Sequence, residues 1–249
     1  MSRTGREKSA SGIYHVMIRG INHQQIFEDD EDNLMMLECL QACKTICDFK
    51  LYAYCLMGNH LHLLVEAKND NLADIFRRLG TRFVYWYNGK YQRSGHLFQD
   101  RYMSEPVDTD AYFLTALRYI HLNPVKIKIC SDPADYRFSS YRAYLNDNDD
   151  EGMVDTSFAL EMIGRDEFVR YHHEDNDDVC LEFEIHNRMT DADALNVIET
   201  IAGYKNPSIF QALAREERNE VLRKLKAEGL SIRRISRLTG IGKTIVERA

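Results

Sequence analysis

Two β-favouring runs, Leu51–Met57 and Leu61–Glu66, are separated by Gly58 and Asn59, residues that suit a tight hairpin turn, so the two runs read as paired antiparallel strands. No other feature constrains the fold as strongly. Side chains alternate along a strand, which puts Leu61, Leu63 and Val65 on one face and His60 and His62 together on the other. Two imidazoles then converge on one spot, the arrangement that supplies the first two ligands of a divalent metal.

The neighbouring segments extend this hairpin into a larger unit. Ile13–Ile18 reads as a first strand ending at Arg19-Gly20. The acidic run Glu28–Asp32 opens a helix with Leu34, Leu37, Leu40 and Cys43 at helical spacing, and suits the positive end of its dipole. Asn71–Tyr87, with Leu72, Ile75, Phe76, Leu79 and Phe83, predicts a second helix, and Gly95–Val107 a fourth strand. Strand, helix, strand, strand, helix, strand is the split βαβ or ferredoxin-like order, an α+β domain on an antiparallel sheet. One more helix starts near Asp108 or Thr109 and is expected to stop at Asn123, because proline at 124 disfavours helical geometry in the residue before it. Phe113, Leu117 and Ile120 form its apolar stripe, and Tyr112, Ala116, Tyr119 and Asn123 a neighbouring one.

The formal net charge of −7 comes almost wholly from one segment: residues 146–189 carry 3 Lys and Arg against 14 Asp and Glu. This predicts three regions, a near-neutral first domain over 1–145, an acidic linker with short helices over 146–189, and a helical region over 190–249, and the resemblance given below implies that the first is the catalytic domain. The runs Asn146–Glu151 and Glu174–Asp178 read as exposed loops, with His172-His173 beside the second. In the last region LSIRRISRLTGIGKTIVERA matches a helix-turn-helix, placed at about 215–249 with a preceding helix that ends at Gly229. The acidic balance does not exclude nucleic acid, since attraction to phosphate is local over a Debye length of about 10 Å. Cys39, Cys43 and Cys47 lie on one helical stripe and no CxxC pair occurs, which fits buried thiols in a reducing compartment. No apolar run approaches the roughly 20 residues of a membrane span, and Met1–Gly12 has no apolar core of a signal peptide. The expectation is a cytoplasmic protein with no membrane partner.

Two histidines need further ligands to make a site. Asn123 can offer an oxygen, the donor that Mg²⁺ or Mn²⁺ prefers, and Tyr119 one turn earlier would bring a phenol to the same place. A tyrosine oxygen can attack a phosphodiester and form a phosphotyrosine while a divalent ion offsets charge on the phosphate oxygens.

The blocks YHVMIRGINHQQIF (Tyr14–Phe27), YCLMGNHLHLLVE (Tyr54–Glu66), GHLFQDRYMSEPV (Gly95–Val107) and RYIHLNPVKIKICSDPADYRFSSYRAYL (Arg118–Leu145) give the chain a family resemblance. It resembles the single-tyrosine HUH transposases of the insertion-sequence type, most closely their REP-associated branch. The resemblance implies a ferredoxin-like domain that cleaves single-stranded DNA near a hairpin and leaves a 5′-phosphotyrosine. It implies His60 and His62 as ligands of Mg²⁺ or Mn²⁺, Tyr119 as nucleophile and Asn123 as third ligand. It also implies DNA transposition and recombination as the biological setting, with the protein acting as a monomer or a homodimer. Relatives usually carry proline where Gly58 stands, which implies a looser hairpin here.

Among the basic residues, Arg19, Arg77, Arg78, Arg101, Arg118 and Lys126 are the candidates for contact with single-stranded, hairpin-bearing DNA, and Tyr85-Trp86-Tyr87 for base stacking. In the tail, Arg233, Arg234 and Lys243 are candidates for duplex phosphates. The reading as a metal-dependent endonuclease and strand transferase stands against a DNA-binding regulator without turnover, and against a metal-binding module without nucleic acid.

Overall fold

The computed structural model describes residues 7–67, 72–99, 101–145, 152–181, 191–203, 209–210, 213–228, 230 and 232–249. The chain divides into two compact units, Met1–Glu182 and Phe183–Ala249. The run Asn146–Glu151 and the helix-end residues Asn71, Gly229 and Ser231 lie outside the described residues.

The first unit is built on four antiparallel strands, β1 (Ile13–Arg19), β2 (Lys50–Met57), β3 (His60–Glu66) and β4 (Met103–Pro106), in the order β2-β3-β1-β4. Between them run α1 (Asp30–Cys47) and α2 (Leu72–Lys90), and after β4 comes α3 (Asp110–Lys126). This is the ferredoxin-like split βαβ expected from the sequence. Register places Met17 and Cys55 on either side of His62, and Arg19 and Met57 on either side of His60, so these residues share one face of the sheet. Leu61, Leu63 and Val65 take the other face and are fully buried in the same core as the inner sides of α1 and α2.

The hairpin between β2 and β3 is tied down rather than loose. Gly58 carbonyl accepts from the Ile26 and Phe27 amides at 2.9 and 3.0 Å, and Asn59 carbonyl from the Gly20 amide at 2.9 Å. These bonds supply the restraint that a proline would otherwise give. Gly20 is required at its position, because a Cβ there would meet Gln24 carbonyl oxygen at 2.3 Å and Ile26 Cγ2 at 2.8 Å. Gly20→Ala is expected to cost about 1–3 kcal/mol by urea unfolding, since backbone must move to admit the methyl.

Two element boundaries differ from expectation. The fourth strand is confined to Met103–Pro106, and residues 97–99 meet the end of β1 through a bridge of Phe98 to Gly20, the Gln99 amide to Arg19 carbonyl and the Arg19 guanidinium to Gln99 Oε1. Gly95, at φ +91°, turns the chain away from extended geometry just before this contact. Helix α3 runs past Pro124 to Lys126, because proline removes only its own donor while the Ile127 amide closes the last turn onto Asn123 carbonyl at 3.2 Å. In α1 the buried stripe is Met36, Cys39, Leu40 and Cys43; Leu34 is exposed. Lys90 and Tyr91 at the end of α2 bind the first turn of α1 through its buried Asp32.

The short helices expected after residue 145 pack on the main body: α4 (Tyr141–Leu145), α5 (Ser157–Ile163) and α6 (Arg165–His173) put Tyr144, Ala159 and Phe168 into the first core, and Val154 joins them from the segment before α5. His172, expected in a loop, is buried at the end of α6. Its Nε2 lies 3.0 Å from His121 Nδ1, and His121 Nε2 lies 2.8 Å from Ser140 Oγ.

The second unit packs α7 (Asp191–Ala202), α8 (Arg215–Ala227), α9 (Ile232–Thr239) and α10 (Lys243–Arg248) around Ala194, Ile198, Leu222, Leu225, Ile235 and Val246. Gly240, at φ +70°, ends α9 and starts the turn into α10, which gives the pair a helix-turn-helix arrangement.

Candidate active site

The same face of β3 holds His60 and His62 with ring centroids 5.1 Å apart, as alternation along the strand requires. His62 is 1% exposed. Each ring is held through Nδ1: His60 Nδ1 lies 2.7 Å from Asn59 Oδ1, and His62 Nδ1 lies 2.9 Å from Nε2 of His15 on β1. Burial pushes the His62 pKa well below the ordinary range, with smaller contributions from His15, His60 and Lys126. A neutral imidazole is the form that ligates metal.

Helix α3 brings the other groups to this face. The ring of Tyr119 stands edge-on to His62 at 5.8 Å and to His15 at 5.9 Å, and is 1% exposed. Lys126 Nζ lies 4.1 Å from the centre of the Tyr119 ring. Asn123 is buried one turn beyond Tyr119 and donates its Nδ2 to Tyr119 carbonyl at 3.0 Å, which leaves Oδ1 as its acceptor atom. Among the described residues no three His, Cys, Asp or Glu side chains group as a metal site. A divalent ion here would draw on His60, His62 and a neutral oxygen, and two Nδ1-anchored imidazoles and a carboxamide are donors that suit it.

The expected DNA contacts are placed unevenly. Arg19 shares the sheet face with His60 and donates to Gln99 Oε1 at 3.1 Å, while Arg77, Arg78 and Arg101 are exposed. Tyr85 is 85% exposed on α2, with Tyr87 buried behind it. Arg118 is corrected from a phosphate contact to an internal one. It is 8% exposed, its Nε and Nη2 bind both oxygens of Asp178 at 2.7 and 3.0 Å, and its guanidinium lies 3.8 Å from the centre of the Tyr171 ring. The acidic segment Glu174–Asp178 is thus a strap against α3, and Asp178 carbonyl also accepts from Lys126 Nζ at 2.9 Å. In the second unit Arg233 and Lys243 are exposed and Arg234 is half-buried. Sequence reasoning missed His15, whose one signal is that it is the polar residue in an otherwise apolar first strand.

Residues 8–123 match the family described as IS200-like transposases. Residues 8–123 form an IS200-like transposase domain. The transposase domain shares its fold with a solved REP-associated tyrosine transposase bound to a REP hairpin, at TM-score 0.52 and 17% identity over 58% of this chain and 86% of that one. A candidate transposase from Deinococcus radiodurans R1 aligns at TM-score 0.34 and 16% identity, over 51% of this chain and 92% of that one. No curated protein matches the chain. No helix among the described residues is long and apolar enough to cross a membrane.

The buried histidines give the metal-free first unit an acid-sensitive core. Burial pushes His15 and His172 each down to about 3, and holds His62 and His121 well below their ordinary value of 6.5. Between about pH 3 and 6.5 the unfolded chain binds more protons than the folded one, so stability is complete above pH 6.5 and declines as pH falls through this window. The loss at pH 5 is on the order of 2 kcal/mol for each of His15 and His172. Thermal melting at pH 7.5 and pH 5 checks this; equal Tm values would show that these rings are not buried in their neutral form.

Proposed function

We propose that the chain is a single-stranded DNA endonuclease and strand transferase of the HUH tyrosine type, acting at DNA hairpins with Mg²⁺ or Mn²⁺. The observation that carries this reading is the convergence of Tyr119 with the His60–His62 pair on one sheet face. A divalent ion bound by His60, His62 and Asn123 Oδ1 would polarise the scissile phosphate. Tyr119 Oη attacks phosphorus and releases its proton to solvent; a Tyr–O–P bond forms to the 5′ side, the P–O3′ bond breaks, and the 3′ oxygen leaves as a hydroxyl after taking up a proton. Reversal with a new 3′ hydroxyl joins strands without a nucleoside triphosphate.

Lys126 supports the nucleophile by placing a cation over the phenol ring, which favours the anionic oxygen. DNA entry then requires Lys126 to exchange Asp178 carbonyl for phosphate. Arg19, Arg77, Arg78 and Arg101 supply exposed or edge cations for the nucleic-acid backbone, and Arg233, Arg234 and Lys243 for a duplex. The domain division at 1–145, 146–189 and 190–249 is retained only in its functional sense, catalysis in the first region and DNA binding in the last.

The test is incubation with hairpin-bearing single-stranded oligonucleotides in Mn²⁺, Mg²⁺ or chelator, followed by denaturing electrophoresis. A denaturant-resistant protein–DNA adduct that needs metal is the expected result. The regulator reading is favoured by one observation, the burial of Tyr119 at 1% exposure. It predicts salt-sensitive hairpin binding with no adduct under any metal condition.

A further inference from the structure

All six residues Ile13–Ile18 of β1 are buried, and five are apolar or aromatic; the sixth is His15. Its Nδ1 is buried without a hydrogen-bond partner, whereas its Nε2 lies 2.9 Å from His62 Nδ1. An unpaired buried nitrogen opposes folding, and a β-branched residue such as the adjacent Val16 would avoid that cost in a strand. What the histidine gains therefore lies at its other nitrogen.

A neutral imidazole that ligates through Nε2 carries its proton on Nδ1, and that proton needs an acceptor in a buried site. Asn59 Oδ1 accepts for His60. We propose that His15 is a positioning residue for the metal site, accepting the Nδ1 proton of His62 and thereby fixing the tautomer and ring plane that present His62 Nε2 to a divalent cation. The proposal rests on the reading of His60, His62 and Asn123 as ligands. The Tyr119 ring packs edge-on against both histidines, so the same contact that orients the ligand also borders the nucleophile.

The experiment is calorimetric titration of the full chain with Mn²⁺, comparing wild type with His15→Leu, His15→Met and His15→Gln. Leucine and methionine keep apolar volume and remove the acceptor, while the Gln Oε1 reaches the position of His15 Nε2. The expected result is Mn²⁺ affinity at least about tenfold weaker in the leucine and methionine variants and within about threefold of wild type in the glutamine variant. Adduct yield in His15→Leu falls at limiting Mn²⁺ and recovers at saturation, and hairpin binding in chelator is unchanged. Wild-type affinity in the leucine and methionine variants would overturn the positioning role alone, as would a glutamine variant as weak as leucine. A wild-type chain that forms adduct yet binds no Mn²⁺ would overturn the ligand reading beneath it.

Discussion

Tyr119→Phe is expected to lower the yield of covalent DNA adduct by at least about 1,000-fold, the scale on which removal of a nucleophile acts. The ring is buried on α3 against His15 and His62 with Lys126 above it, and phenylalanine fills the same volume and keeps those contacts. Only the oxygen is lost, so the stability cost is about 1 kcal/mol, or roughly 2–4 °C in Tm for a unit of this size. Hairpin binding persists because the cations that meet phosphate are untouched. The informative comparison is adduct yield against Tm in one preparation. Adduct at wild-type yield would transfer the chemistry to another residue, and a collapse of Tm would show that the oxygen serves the fold.

The largest effect on stability is expected from Asp32→Ala. Asp32 is 0% exposed, yet both carboxylate oxygens are engaged: Oδ2 accepts from the Glu28 amide at 2.7 Å, the Asp29 amide at 3.3 Å and Tyr91 Oη at 2.8 Å, and Oδ1 binds Lys90 Nζ at 2.9 Å. It is the third helical residue and the partner of the Asp29 cap in a capping box, so it closes the amino end of α1 and fastens that end to α2. Alanine would leave the Lys90 ammonium and Tyr91 hydroxyl facing a cavity. The expected loss is about 3 kcal/mol, a fall of roughly 6–12 °C in Tm. Asp32→Asn is expected to lose less, because it keeps an acceptor for the backbone amides. An alanine variant that melts with wild type would mean that Lys90, through Asp29 and Glu31, holds the junction unaided.

The hairpin and the histidine pair were legible because both follow from period-two alternation and one turn, which are local properties. The same holds for Tyr119 and Asn123, four apart on one helical face. Pairings across long separations were hidden. His15 reaches His62 over 47 residues and Arg118 reaches Asp178 over 60, and no local pattern announces either. Glu174–Asp178 is the exposed loop its acidic run suggests, except at Asp178, which turns in to a buried cation that no local pattern shows. Pro124 misled because the rule for the preceding residue is a bias, and the packed core around α3 outweighs it.

The outer edge of β2 carries a last consequence. Leu51 exchanges bonds with Asp155 through its amide and carbonyl, Tyr52 carbonyl accepts from Tyr144 Oη, Tyr54 pairs with Ser140, and Leu56 is met by Phe138 carbonyl and Tyr136 Oη. Tyr136, Phe138, Ser140, Tyr144 and Asp155 thus seal a strand edge that would otherwise recruit other chains. The family match ends at Asn123, short of all of these capping residues. A fragment cut at the family boundary would keep His60, His62, Tyr119 and Asn123 but lose Lys126 and expose a raw sheet margin, and it is expected to aggregate before its catalysis can be assayed.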